Sequence, residues 1–164
     1  MDNLNYNKEE LFNGTIESGI RSAILLEAFY PRSLDLKSIS LLDYFVVHTA
    51  DIGGPASLHP AISSRVGEYS VRRRVIQDGL KLLTRRNLIS PIESPEGLFF
   101  LAGDDAPAFI KLLATDYNLE LLNRAYWLAT QGTQRASFFD EMRQYIEQHS
   151  LVLQIDEGYA IAEQ

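Results

Sequence analysis

The chain has 164 residues and no cysteine, which excludes a disulfide framework, a thiolate metal site and a cysteine nucleophile. Its net charge of −7 excludes a protein that wraps nucleic acid over its whole surface, because such proteins are basic and gain affinity from counterion release. Hydrophobic content of 46% and charged content of 23% are those of one globular domain, or two very small ones sharing a core. No apolar run approaches the roughly 20 residues that span a bilayer. The start, MDNLNYNKEELFN, is polar and acidic, unlike a signal peptide. The expected compartment is the cytoplasm, which the missing cysteines fit.

Residues 1–10 read as a flexible N-terminal arm or an added strand. A helix follows from about Thr15, with Ile20, Ala23, Ile24, Leu26 and Ala28 as its buried stripe. Pro31 stops it near Tyr30, because the residue before proline avoids helical geometry. Ser33 or Asp35 then caps a second helix. Its apolar positions, from Leu36 to Val47, lie nearly all round, so it is expected at the centre of the core.

The stretch HTADIGGPASLHP, His48 to Pro60, reads as a long loop centred on Gly53-Gly54-Pro55, and long loops inside compact domains are often functional. His48, Asp51 and His59 fall close together here. Their spacing fits no regular metal motif, so no metal is expected and the histidines are read as capping loop carbonyls. The Gly-Gly pair lacks the lysine and spacing of a phosphate loop.

Tyr69 to Ala102 carries the clearest pattern: a helix, a stop and a hairpin. Val71, Val75, Ile76, Gly79, Leu80, Leu82 and Leu83 form one helical face, and Ser70 is a candidate N-cap. Gly79 costs about 1 kcal/mol relative to alanine inside a helix, so it marks a close contact with another helix. Asn87, after Arg85 and Arg86, is the stop. Strands are expected at Leu88-Ile89-Ser90 and Leu98-Phe99-Phe100-Leu101, joined by the Ser94-Pro95-Glu96-Gly97 turn. Helix plus hairpin is the second half of a winged helix.

The C-terminal third reads as three helices, Ala106 to Ala114, Tyr117 to Ala129 and Ser137 to His149. Leu119, Leu122, Ala125, Tyr126 and Ala129 form the stripe of the second. A second hairpin is expected around Asp156-Glu157-Gly158. The expected fold is α+β, mainly helical: a winged helix-turn-helix over residues 1–103 and a helical unit over 104–164 that ends in the hairpin. A tandem winged-helix arrangement is the extended hypothesis.

Charge is unevenly placed. From Arg65 to Arg86 there are seven basic and two acidic residues, a net of +5, whereas the other 142 residues sum to −12. The exposed basic face is therefore a candidate surface for nucleic acid or an acidic partner: Arg72, Arg73, Arg74, Gln77, Lys81, Arg85 and Arg86. The plainer account is a solvated helix face. In a DNA-binding regulator Arg73, Gln77, Lys81 and Thr84 would enter a major groove, and Arg72, Arg74 and Arg85 would touch phosphates. No catalytic constellation emerges. The adjacent carboxylates Glu9-Glu10, Asp104-Asp105 and Asp156-Glu157 read as caps and turns, and Trp127, Tyr126 and Tyr145 as core.

Four motifs stand out between Leu11 and Leu101: LFN at Leu11 to Asn13, ExGxR ending at Arg21, the stretch from Leu42-Asp43-Tyr44 through HTxDxGGPxSLHP, and GExxVRRxxxxxGLxLLxxRxL from Gly67. Together they resemble the middle component of bacterial ABC-type three-component conflict systems, the group that includes the accessory subunit of Lamassu anti-phage defence. The resemblance implies a winged-helix protein encoded beside an SMC- or Rad50-like ATPase and an effector, often a nuclease. It implies a non-enzymatic adaptor between the two, without cofactor and without membrane contact. By that reading Ile52, Gly53, Gly54, Pro55, Leu58 and His59 are candidate partner-binding residues, with Ile52, Leu58 and His59 as anchors. The competing reading is a winged-helix transcriptional regulator.

Overall fold

The computed structural model describes residues 14–60 and 65–149, with side chains from 72 onward in the second stretch. The expected arm, the Ser70 cap side chain and the second hairpin lie outside the described residues.

Helix α1 spans Thr15–Phe29 and stops before Pro31, as the proline requires. A two-residue strand β1, Leu34–Asp35, leads into α2, Leu36–Val47. Asp35 is the cap: its carboxylate accepts from the Ser38 amide at 2.8 Å. Every residue of α2 from Ile39 to Val47 is buried, so this helix runs through the centre of the core. A 3-10 turn, Thr49–Ile52, opens the long loop. Helix α3, Arg65–Thr84, begins five residues before Ser70, which therefore lies inside the helix. Asn87 adopts φ 59° and ends the turn after it, as its tolerance of left-handed geometry allows.

Strands β2, Ile89–Ser94, and β3, Gly97–Ala102, form the hairpin, and Gly97 takes the positive φ (131°) that its turn needs. The sheet is antiparallel in the order β1-β3-β2, with Leu34 opposite Phe100 and Pro91 opposite Phe100 on the other side. The element order is thus α1-β1-α2-α3-β2-β3, an α+β arrangement that is mostly helical.

Three helices follow: α4, Ala106–Lys111, α5, Asp116–Gln134, and α6, over 138–149. Helix α4 is shorter than expected and α5 longer. The buried side of α5 is Leu121, Arg124, Ala125, Leu128 and Ala129, while Leu119 and Tyr126 are about half exposed. The expected stripe caught Ala125 and Ala129 but set Leu119 and Tyr126 on the wrong side. The α5 and α6 side chains Leu128, Phe138 and Met142 join the same apolar cluster as Ile24, Phe45 and Ile76.

Gly79 does make the expected close contact. A Cβ built on it would lie 2.7 Å from the Gly19 nitrogen, so α1 and α3 cross backbone against backbone. That crossing fixes how α3 is presented.

Candidate interaction site

Among the described residues, α1, α2 and α3 each bury one charged side chain, and the three meet. Arg21 on α1 donates from Nε to Asp43 Oδ1 at 2.8 Å. Arg72 on α3 brings its Nε to 3.5 Å of Asp43 Oδ2, and its Nη1 donates to the Asp43 carbonyl at 3.4 Å. Asp43 is fully buried, and Arg21 and Arg72 nearly so. Burial alone would push the Asp43 carboxyl up. The guanidiniums of Arg21 and then Arg72 outweigh it, with the Arg21 hydrogen bond and His59 adding to them, and hold the carboxyl below its usual range. Burial likewise opposes the Arg21 charge, yet Asp43 keeps its pKa above the ordinary value. A carboxylate held this way is a structural counter-ion to two helices.

The loop closes over this cluster. His59 Nε2 lies 2.9 Å from the Tyr117 hydroxyl of α5. Burial raises the Tyr117 pKa, against the opposing pull of Arg21 and Arg72. The Tyr44 hydroxyl donates to Asp51 at 3.1 Å, and the His48 ring lies 4.7 Å from the Tyr44 ring. His59 in the loop thus meets a phenol on α5. The polar motif positions Arg21, Asp43, Tyr44, His48, Asp51, His59 and Arg72 therefore gather in one region. Among the described residues no group of three or more histidines and acids is placed to hold a metal ion.

The rest of the loop is fastened from both sides. Arg124 on α5 donates from Nε at 3.1 Å and Nη2 at 2.8 Å to the Ala56 carbonyl. Thr49 donates to the Pro55 carbonyl at 2.8 Å, and Leu58 and His59 amides both reach the Val47 carbonyl. Ile52 and Leu58 are partly buried and pack on the core, while Gly53 and Pro55 face solvent. Gly54 lies against the Trp127 ring. Arg124 is the residue that reading the sequence missed. Its signal was a charge at i+3 from Leu121 and i−4 from Leu128, on the face that the core takes.

The basic face divides. Arg73, Arg74, Gln77, Lys81, Arg85 and Arg86 are exposed, but Arg72 turns inward and is 4% exposed. Beside this face lies a cleft of about 550 Å³ between α3 and the hairpin. Leu80, Pro91, Leu98 and Phe100 form its floor, and Gln77, Lys81, Thr84 and Arg85 its helical side.

The fold thus combines three helices joined by a buried charge, a loop fastened to α5, and a basic helix face beside an apolar cleft. The family model of ABC-three component (ABC-3C) system Middle Component 2 matches residues 11–153, and the chain belongs to that family. The match reaches residue 153, well into the C-terminal third, which no sequence motif had linked to it. No curated protein and no solved structure matches the chain. No helix among the described residues is long and apolar enough to cross a membrane.

Proposed function

We propose that this chain is a non-enzymatic adaptor that links an SMC- or Rad50-like ATPase to an effector, of the nuclease class, in a Lamassu-type defence complex against phage or plasmids. The observation that carries the reading is membership of the middle-component family, since a middle component has partner proteins to join. We read the fold as a winged helix: the order α1-β1-α2-α3-β2-β3 with sheet order β1-β3-β2 supports it. Function does not follow from fold alone, so the test is assembly.

The test co-expresses the tagged chain with the proteins encoded beside it, purifies it and sizes the product. Co-elution with a large coiled-coil ATPase and a second protein is the expected result. Elution alone, with salt-sensitive retention on DNA, would replace the adaptor by a regulator. The outward row Arg73, Gln77, Lys81 and Arg85 favours that second reading, and Glu93 and Glu96 on the hairpin oppose it.

A further inference from the structure

The cleft between α3 and the hairpin has a chemical character that the adaptor reading does not use. Its floor is apolar. Leu98 and Phe100 project to one side of β3, two residues apart, and Pro91 stands opposite Phe100 in the register. Leu80 closes the floor from the helix. Leu98 is 48% exposed, a large apolar side chain left open to water. The helical rim is cationic. Lys81 and Arg85 stand one turn apart on α3, and neither enters an ion pair among the described residues.

Two features favour a protein over DNA here. Phosphates need cations and gain nothing from Leu98 and Phe100. The strand side of the cleft is also unsuited to phosphate, because Ile89 to Ala102 holds Glu93 and Glu96 and no lysine or arginine. The helical side from Gln77 to Arg85 extends about 12 Å, or roughly two turns of an incoming helix.

We infer that this cleft receives an acidic amphipathic helix of a partner subunit, with apolar side chains on Leu80, Leu98 and Phe100 and carboxylates on Lys81 and Arg85. The inference rests on the adaptor reading and names its chemistry. Apolar anchors in the cleft supply affinity, and the charged rim sets orientation and the rate of encounter. The seating resembles other helix-in-groove contacts in requiring apolar side chains at i, i+3, i+4 and i+7.

The experiment uses the full chain co-expressed with the proteins encoded beside it, with Leu98 replaced by p-benzoylphenylalanine and photocrosslinked in the assembled complex. The expected product joins position 98 to a partner segment rich in apolar residues and flanked by Asp or Glu. Lys81→Glu with Arg85→Glu should abolish that crosslink and weaken assembly by at least about 10-fold. Leu98→Ser, which leaves the charges intact, should weaken assembly without changing its salt dependence. Both variants must keep the parent's thermal midpoint. A complex that forms undiminished with the double variant overturns the inference while the adaptor reading stands. Absence of any co-purifying partner overturns both. Crosslinking to DNA, or to another segment of this same chain, assigns the cleft to a different occupant and overturns the inference too.

Discussion

Gly54 lies so close to the Trp127 ring that a Cβ on it would fall 2.7 Å from ring atom Cη2 and 2.9 Å from the Thr49 carbonyl. A residue of the loop and a residue of α5, 73 positions apart, thus share one van der Waals boundary. The loop keeps its path because this position has no side chain.

Gly54→Ala should therefore lift the loop off α5. Overpacking of this kind costs about 1–3 kcal/mol, because neither the indole nor the Thr49 carbonyl can withdraw freely. Trp127 is the chain's single tryptophan, so its fluorescence reports the site directly. The expected result is a red-shifted emission maximum and a lower urea midpoint. An unchanged spectrum with unchanged stability would mean that the contact does not hold in solution.

Gly79→Ala sets two effects against each other. Alanine gains about 1 kcal/mol in helix propensity. Against that, the new Cβ would stand 2.7 Å from the Gly19 nitrogen and 2.9 Å from the Thr15 carbonyl, both backbone atoms. The clash should win, leaving a net loss of roughly 1–2 kcal/mol in chemical denaturation. Gln77→Ala, exposed on the same helix, serves as control and should stay within about 0.5 kcal/mol of the parent.

Much of this architecture is visible in the sequence where one local rule decides. Asp35 caps α2, Asn87 stops the turn after α3 and Gly79 marks a helix crossing, each because few residue types can do that job. The buried ion cluster is less legible. Arg72, Arg73 and Arg74 look like one basic run, yet Arg72 stands four, seven and eleven residues before Ile76, Gly79 and Leu83, all buried. Helical period sets it on the inner face. Arg21 and Asp43 are each a lone charge in an apolar stretch, which signals a buried ion pair, but their partnership across 22 residues is set by tertiary packing. On α5 two stripes offset by one position fit the apolar residues nearly equally well. Burial of Leu121 and Leu128 settles the register, and Leu119 and Tyr126 are left outside.

Asp43→Asn removes the one carboxylate that two buried guanidiniums share. Breaking a buried pair from one side costs about 3–5 kcal/mol, since the remaining charges stay desolvated. The parent should also show a matching pH dependence. The folded Asp43 pKa is depressed below an unfolded value of about 3.9, so its contribution is present above that value. It is lost as pH falls through the unfolded value toward the folded one. Urea titrations from pH 6 to pH 3 should show the parent losing more stability than Asp43→Asn does. Parallel losses would show that Asp43 is not depressed in the folded state.

Arg72→Met separates the inner arginine from its outer neighbours. Methionine matches the aliphatic reach of arginine but removes one of the two cations facing Asp43. Arg21 remains bound to Asp43 at 2.8 Å, so the expected loss is smaller than for Asp43→Asn, about 1–3 kcal/mol. The paired change Arg73→Met with Arg74→Met acts on exposed residues and should shift stability by no more than about 0.5 kcal/mol. Differential scanning of the three proteins reads the contrast. If the parent and both variants melt together, Arg72 shares the solvated face of its neighbours, and α1 and α2 are joined by Arg21 and Asp43 without it.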